Sequence, residues 1–210
     1  MASNQESPTL VCEDISLILP NVFLGNYRAA TSPDILREHK IARILSVLTQ
    51  REAIPDDVRL QTVRYKLVVK TDLPGEDLLL SLPECIEYIE QSAKENQAIL
   101  VHCQMGASRS ATVVIAYLMK LNTWPLDQAY QFVKSHRPII NPNTGFRYQL
   151  RLFERMACRL SPSNREFRLY LLNSVAFRGS YAEQFQSQMT EYLRMMEELE
   201  KAETKIAKLN

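Results

Sequence analysis

The stretch His102-Cys103-Gln104-Met105-Gly106-Ala107-Ser108-Arg109-Ser110 lies between two apolar segments of different length. Residues 98–101 form a short apolar run, which predicts a buried strand, and residues 110–121 are nearly all apolar and long enough for a helix. A strand that turns directly into a helix places free backbone N–H groups in the connecting loop. The stretch therefore predicts an anion-binding loop.

Cys103 and Arg109 lie at the two ends of this loop. Five residues between them are enough to wrap around a tetrahedral phosphate, so that backbone N–H groups and the planar guanidinium converge on its oxygens. Gly106 relieves crowding at the turn. The predicted phosphate-binding residues are Gln104, Met105, Gly106, Ala107, Ser108 and Arg109.

Cys103 is the predicted nucleophile. Thiolates are favoured at helix N-termini and beside arginine, so we expect Cys103 to be ionised at neutral pH. Ser110 follows Arg109 and can donate a hydrogen bond to the sulfur, which helps it to leave again. An isolated Cys-x5-Arg string is common by chance, but the preceding His102, the internal glycine and the strand-loop-helix context make the assignment specific.

The segments on either side of the loop predict an α/β fold. Residues 15–25 predict an edge hairpin around Pro20-Asn21, and residues 42–48 and 63–69 predict further strands. The helices are predicted at residues 31–39, 78–96, 110–121, 125–136, 145–160 and 165–177. Strands that come first and helices that dominate later predict a central mixed sheet flanked by helices, with a C-terminal helical extension.

The composition suggests three parts: a flexible segment (1–13), a catalytic domain (14–160) and a helical extension (161–210). In the extension an apolar stripe follows steps of three and four residues, with Glu203 interrupting it before its last member; the stripe is formed by Phe185, Met189, Tyr192, Met196, Leu199 and Ile206. One interpretation is a helix that folds back on the domain's own core. The alternative is helix-mediated self-association or partner binding through residues 180–209.

Charge and cysteine spacing argue against several classes of partner. The net charge is +1, from 25 basic and 24 acidic residues, which gives no electrostatic reason to expect nucleic acid. The four cysteines, Cys12, Cys85, Cys103 and Cys158, are far apart and lack the spacing of a metal site, so we expect neither a metal nor a cofactor.

Nothing in the sequence predicts a membrane partner. Residues 1–13 lack the pattern of a signal peptide, and no apolar run approaches the roughly 18 residues that span a bilayer. We therefore expect a cytoplasmic or nuclear location with free thiols. Cys85 and Cys158 are interpreted as core residues, with a protective disulfide to oxidised Cys103 as the alternative.

The 102–110 stretch resembles the signature of the protein tyrosine phosphatases, and its Ala-Ser-Arg-Ser ending is similar to the dual-specificity branch of that superfamily. Residues 18–25, Ile-Leu-Pro-Asn-Val-Phe-Leu-Gly, resemble the N-terminal hairpin of that branch. Residues 137–150 resemble the loop and helix after its active site. The resemblance covers roughly residues 15–160 and implies a phosphatase fold.

Residues 161–172 resemble one subfamily of this branch, whose members carry a C-terminal zinc-binding region. No cysteine follows Cys158, so that zinc region is absent from this chain. Functions tied to it are not expected.

The resemblance also implies a general acid about thirty residues before the nucleophile, where Asp72 stands in Lys-Thr-Asp-Leu-Pro. Glu76 and Asp77 are the alternatives, although Asp77 is better explained as the cap of a helix that begins near Leu78.

Three further residues are predicted to support the loop rather than to react. The resemblance implies that His102 orients the loop without acting as a base. Asn141 and Asn143 are interpreted as amides that brace the segment after the active site, which neighbouring prolines already stiffen.

The implied activity is hydrolysis of phosphotyrosine and phosphoserine or phosphothreonine in proteins, through a phosphocysteine intermediate. Two alternatives stay open. The first is a phosphopeptide-binding scaffold that lacks catalysis. The second is a phosphoinositide or triphosphorylated RNA substrate, which is disfavoured because no basic residue stands between Cys103 and Arg109.

Overall fold

The computed structural model describes residues 13–56, 59–161, 163–177 and 194. Within these residues there are five strands and seven α-helices, in chain order β1 (Ile15–Leu19), β2 (Val22–Gly25), α1 (Tyr27–Thr31), α2 (Pro33–Glu38), β3 (Ile41–Leu48), β4 (Arg64–Val69), α3 (Leu82–Lys94), β5 (Ala98–His102), α4 (Arg109–Asn122), α5 (Leu126–His136), α6 (Thr144–Arg155) and α7 (Arg165–Phe177). Single 3-10 turns lie at Gln50–Glu52 and Leu79–Ser81.

The described strands form one sheet in the order β1-β2-β5-β3-β4. β1 pairs with β2 in an antiparallel manner, whereas β2, β5, β3 and β4 are parallel neighbours. The sheet is therefore mixed, with the hairpin at its edge, and the predicted fold class is confirmed. β5 is central and ends at His102, so the anion-binding loop begins at the carboxyl edge of the sheet, where α/β folds place ligands.

The two elements that flank this loop are among the most buried in the protein. Every residue of β5 is buried, as its continuous apolar run predicts. In α4 all residues from Arg109 to Met119 are buried, since a helix that is apolar on every side must be covered on every side. The loop between them is thus anchored at both ends in the core.

Helix α1 was not predicted from the sequence. It begins after Asn26, whose side chain caps it by accepting a hydrogen bond from the backbone N–H of Ala29 at 3.0 Å. Five residues are too few for a periodic pattern, so the Asn cap is the only sequence signal of this helix. The next helix begins at Pro33 after the Ser32 cap, within the predicted range.

Two predicted helix boundaries are wrong. The helix expected from residue 78 begins at Leu82, because Leu79–Ser81 forms a 3-10 turn first; Asp77 Oδ1 accepts a hydrogen bond from the Leu80 N–H of that turn at 3.2 Å. Asp77 therefore caps the 3-10 turn, not an α-helix at residue 78. Helix α6 ends at Arg155 instead of residue 160, since Ala157 and Cys158 adopt left-handed backbone angles with φ of 51° and 56°.

Backbone proximity divides the chain into two compact units, Met1–Arg151 and Leu152–Asn210. The second contains α7, which begins and ends where the sequence predicts. The apolar stripe of residues 185–206 lies outside the described residues, so self-association through 180–209 stays a prediction, as do the flexible 1–13 segment and the domain boundary at 160. No helix in the described ranges is both long and apolar enough to span a bilayer.

Candidate active site

Residues 103–108, here called the cradle loop, connect β5 to α4, and all six of their carbonyl oxygens accept hydrogen bonds from groups outside the loop. In order from residue 103 to residue 108, the donors are His102 Nδ1 at 3.2 Å, Tyr27 N at 3.1 Å, Arg137 Nη2 at 3.2 Å, Arg137 Nε at 2.8 Å, Asn141 N at 2.7 Å and Thr112 N at 2.9 Å. The carbonyl side of the cradle loop is thus fully bound by the surrounding protein.

The N–H side of the same backbone is free to bind a ligand. Within the described ranges, no protein acceptor takes a hydrogen bond from the N–H groups of residues 104–109. Successive N–H groups of this kind form a concave anion-binding site. Gly106 makes the turn with φ of +66°, and a Cβ there would lie 2.6 Å from the carbonyl carbon of Gly25, so both its angle and its space require glycine.

Arg137 supports the cradle loop, although the sequence revealed no role for it beyond its place in the family resemblance. Its side chain is only 2% exposed. Besides the two cradle carbonyls, it donates from Nη1 to the carbonyl of Glu13 at 2.8 Å and to Ser16 Oγ at 3.1 Å. Arg137 therefore links the start of the described chain to the anion-binding loop.

Cys103 is 1% exposed, and Ser110 Oγ donates a hydrogen bond to its sulfur at 3.2 Å. Ser110 is in the first turn of α4, so the sulfur lies at the N-terminal end of that helix, where the helix dipole favours negative charge. The expected Ser110 contact is present. A donor on the sulfur stabilises a thiolate and improves it as a leaving group.

Arg109 is buried, and one edge of its guanidinium donates hydrogen bonds to Glu52, a residue for which the sequence predicted no role in the site. Nη1 donates to Glu52 Oε2 at 2.7 Å and to the carbonyl of Lys70 at 3.2 Å. Nε is buried, 3.8 Å from Asp72 Oδ2, and has no hydrogen-bond acceptor within the described ranges. That unsatisfied donor in the site is available to an anion.

The ion pair fixes the charges of both partners. The hydrogen bond from Arg109 lowers the pKa of Glu52 to about 2. Burial, the largest single effect, would lower the pKa of Arg109, but the hydrogen bond to Glu52 and the negative charges around the guanidinium together outweigh burial and raise it. The sequence did carry one signal for Glu52, the Thr-x-x-Glu capping box that it forms with Thr49, whose backbone N–H donates to Glu52 Oε2 at 2.8 Å.

Asp72 contacts the cradle loop directly. Its Oδ1 accepts hydrogen bonds from Ser108 Oγ at 2.6 Å and from Asn143 Nδ2 at 2.9 Å. Asn143 also accepts from the N–H of Phe146 at 3.0 Å, so it both caps the start of α6 and holds the Asp72 carboxylate. Asn141 braces the loop through its backbone N–H, while its side-chain oxygen accepts from Arg147.

The two alternative acids are engaged in local structure. Glu76 Oε2 accepts from the N–H and the hydroxyl of Thr71 at 3.0 and 2.7 Å. Burial, the largest single effect, would raise the pKa of Glu76, but the hydrogen bonds from Thr71 and from the Asp77 N–H, together with the charge of Lys70, outweigh it, and the pKa lies below its ordinary value. Asp77 is 2% exposed and caps the 3-10 turn. Both carboxylates thus bind groups within residues 70–80, whereas the Asp72 carboxylate binds a side chain of the cradle loop.

His102 is completely buried behind the loop. A carbonyl oxygen can only accept, so the contact to the Cys103 carbonyl requires a proton on Nδ1, and a neutral ring then accepts at Nε2 from Ser46 Oγ at 2.6 Å. Burial lowers the pKa of His102 to about 4, which keeps the ring neutral at physiological pH. Its position fits an orienting role and not that of a base.

Because His102 is buried in its neutral form, we expect the free energy of unfolding to depend on pH. The unfolded chain binds a proton with the ordinary pKa near 6.5, whereas the folded chain binds it only near 4. Stability should therefore fall as the pH drops through this window, by at most about 3 kcal/mol. Urea unfolding between pH 7 and pH 4 measures the slope.

Two variants provide the comparison. His102→Asn should flatten the slope between pH 6.5 and 5, and His136→Gln, at an exposed histidine, should leave it unchanged. An unchanged slope in His102→Asn would contradict the assignment of the effect to this residue.

The two other described cysteines, Cys85 and Cys158, differ in burial. Cys158 is only half-buried and is therefore not the core residue that was expected, whereas Cys85 is buried, and burial raises the pKa of its thiol to about 12. A thiol of this kind stays protonated and inert. Among the described residues, no group of three or more His, Cys, Asp and Glu side chains is arranged to hold a metal ion.

Comparison with known proteins relates this site to one family. Residues 22–156 match the family model described as the dual specificity phosphatase catalytic domain. The chain is 34% identical over 178 residues to the dual specificity protein phosphatase MPK-4 of Drosophila melanogaster, and 39% identical over 141 residues to dual specificity protein phosphatase 1 of Arabidopsis thaliana. These alignments cover 80% and 67% of the chain, but 45% and 69% of the relatives' own lengths.

A solved structure gives the same result. A mouse putative dual specificity phosphatase, crystallised as a complex with zinc tungstate, superimposes with a TM-score of 0.64 at 33% identity. The match covers 73% of this chain and 94% of the mouse chain.

Proposed function

This chain belongs to the dual specificity phosphatase family, and on that basis we propose that it is a protein phosphatase that hydrolyses phosphotyrosine and phosphoserine or phosphothreonine through a phosphocysteine on Cys103. One observation carries the proposal. The cradle loop has all its carbonyls bound from outside, and its N–H groups and Arg109 Nε have no acceptor within the described ranges. A loop built this way, with a buried cysteine at its start, binds a phosphoryl group where a nucleophile can reach it.

In the first step the Cys103 thiolate attacks phosphorus in line with the leaving oxygen. The sulfur-phosphorus bond forms while the bond from phosphorus to the substrate oxygen breaks. The N–H groups of residues 104–109 and Arg109 Nε bind the three remaining phosphoryl oxygens, whose charge is spread in the transition state. Asp72 donates its proton to the leaving oxygen.

In the second step Asp72, now a carboxylate, takes a proton from a water molecule that attacks the phosphocysteine. The phosphorus-sulfur bond breaks, inorganic phosphate is released, and Ser110 stabilises the departing thiolate through its hydrogen bond. Glu52 takes no part in proton transfer, because its pKa of about 2 keeps it ionised; it holds Arg109 in place.

The choice of protein substrates follows from the cradle loop itself. Its side chains carry no charge between Cys103 and Arg109, so it offers no extra cations to a polyphosphorylated lipid or RNA end. Tungstate, present in the similar mouse structure, is a tetrahedral oxyanion of the kind that we propose for this site.

The Ser110 contact to sulfur favours an enzyme over a phosphopeptide-binding scaffold, which needs no leaving thiolate. A cytoplasmic or nuclear location, where thiols stay reduced, belongs to the same proposal.

Replacing Asp72 with alanine tests the proposed acid. Because alanine cannot protonate a leaving group, we expect kcat to fall about 10²-fold to 10³-fold for phenyl phosphate or phosphothreonine peptides, which have poor leaving groups. For 2,4-dinitrophenyl phosphate, which needs little protonation, the loss should stay below about tenfold. Steady-state kinetics with both kinds of substrate measure the difference.

Glu76→Gln is the matched control, since an amide oxygen can still accept the two hydrogen bonds from Thr71 while the carboxylic acid itself is lost. It should not show the dependence on the leaving group. Equal losses for both substrates in Asp72→Ala, or no loss, would contradict the assignment of the acid.

A further inference from the structure

Gln149 is a buried amide on α6 that contacts no reacting group. It is 5% exposed. Its Oε1 accepts hydrogen bonds from the backbone N–H groups of Leu78 and Leu79 at 2.9 and 2.7 Å, and its Nε2 donates to the carbonyl of Glu76 at 2.7 Å. Two of these bonds go to the far end of residues 70–78, the segment that carries Asp72 and that we call the 70–78 loop, and the third goes to Leu79, which directly follows it.

Other contacts hold the same loop along its length. The Glu76 carboxylate bridges back to Thr71, next to Asp72. At the start of α6, Gly145 lies so close to the loop that a Cβ there would lie 2.6 Å from the carbonyl carbon of Pro74. Asn143 binds the Asp72 carboxylate itself. The segment from residue 143 to residue 149 thus contacts the 70–78 loop along one side.

We infer that Gln149 is a positioning residue for Asp72: its three backbone hydrogen bonds fix the 70–78 loop in the conformation that presents the acid before any substrate binds. The inference rests on the proposed function, in which Asp72 is the proton donor. If the loop moved away, the buried amide and the three backbone groups would lose their hydrogen-bond partners. Because buried polar groups without partners cost free energy, the loop is held in this conformation. A displacement of about 1 Å at a catalytic group is enough to cost about 10²-fold in rate.

The alternative is that Gln149 only stabilises the fold. The two roles differ in which substrates they affect. Loss of overall order should slow every substrate alike, because attack by Cys103 and binding by the cradle loop would both suffer. Loss of Asp72 positioning should slow only substrates whose leaving group needs a proton.

The experiment compares Gln149→Met, which keeps the length of the side chain but has no amide, with Asp72→Ala and with the double variant. For Gln149→Met we expect kcat to fall about 10-fold to 50-fold with phenyl phosphate and less than about threefold with 2,4-dinitrophenyl phosphate. In the Asp72→Ala background the same substitution should change neither rate by more than about twofold, because no acid remains to be positioned. Gln149→Glu, which keeps the acceptor for Leu78 and Leu79 and lacks the amide donor, should have an intermediate effect, and it replaces Gln149→Met if that variant does not fold.

The outcomes separate the inference from the proposed function. Equal losses for both substrates in the Gln149 variants, or losses that multiply with Asp72→Ala, would overturn the positioning role while leaving the phosphatase intact. If Asp72→Ala alone shows no dependence on the leaving group, the assigned acid and the inference both fail.

Discussion

Cys103→Ser should reduce turnover by at least about 10⁴-fold, because a serine hydroxyl lacks the nucleophilicity of a thiolate. The substitution changes one buried atom and keeps the neighbouring Ser110, so we expect the fold to persist. Binding of inorganic phosphate or vanadate should also persist, since the N–H groups of residues 104–109 and Arg109 supply it. Steady-state kinetics and calorimetric titration with the two anions measure both properties.

Cys85→Ala is the control for this prediction. Its thiol is buried and protonated, so its loss removes packing but no chemistry, and kcat should change by less than about threefold. Substantial turnover in Cys103→Ser would overturn the phosphocysteine mechanism. Loss of anion binding in that variant would show that the sulfur, and not the cradle loop, holds the phosphate.

Gly106→Ala is the second change with a large expected effect. The added methyl group would lie 2.6 Å from the carbonyl carbon of Gly25 and 2.8 Å from Arg137 Nη2, at a residue whose φ of +66° already disfavours a side chain. The cradle loop must shift to accommodate it, and its N–H groups would no longer converge on one anion. We expect kcat/KM to fall by about 10²-fold to 10³-fold, with weaker vanadate inhibition.

Gly75→Ala provides the comparison, because a Cβ at Gly75 would meet no atom within 4 Å. It should leave kcat/KM and the melting temperature nearly unchanged. Normal activity in Gly106→Ala would mean that the cradle loop tolerates a different path, and the preformed anion site described above would then be wrong.

The sequence predicted most of this architecture because the decisive signals are local. The apolar run of β5 and the all-apolar α4 are each readable within a dozen residues, and Cys103 and Arg109 lie on the short loop between them. Helix ends were less predictable. The 3-10 turn before Leu82 and the left-handed residues after Arg155 have no strong propensity signal, since tertiary contacts decide where a helix terminates.

The supporting residues were missed for a different reason. Glu52 is 57 residues from Arg109, and nothing in its own neighbourhood distinguishes it from a surface glutamate except a capping box. Arg137 and Gln149 are residue types that are mostly exposed, and their burial depends on which distant backbone groups the fold brings to them. Contacts between residues so far apart in the sequence can be identified only in the folded structure.

Because the six carbonyls of the cradle loop are hydrogen-bonded by other groups, residues 102–110 are not expected to form the same anion site in a different fold. Five of the six carbonyls have donors in α1, in α4, in the C-terminal flank of α5 and in the segment before α6, and one has its donor, His102, within the stretch. The conformation is therefore imposed mainly by neighbouring elements and is not encoded within the stretch alone. Grafted between another strand and helix, residues 102–110 would keep cysteine and arginine but lose the partners that turn the carbonyls outward. Without those partners the backbone N–H groups would not be held so that they converge on one anion. A matching string in an unrelated sequence is therefore evidence of a phosphate site only when counterparts of Tyr27, Arg137 and Asn141 accompany it.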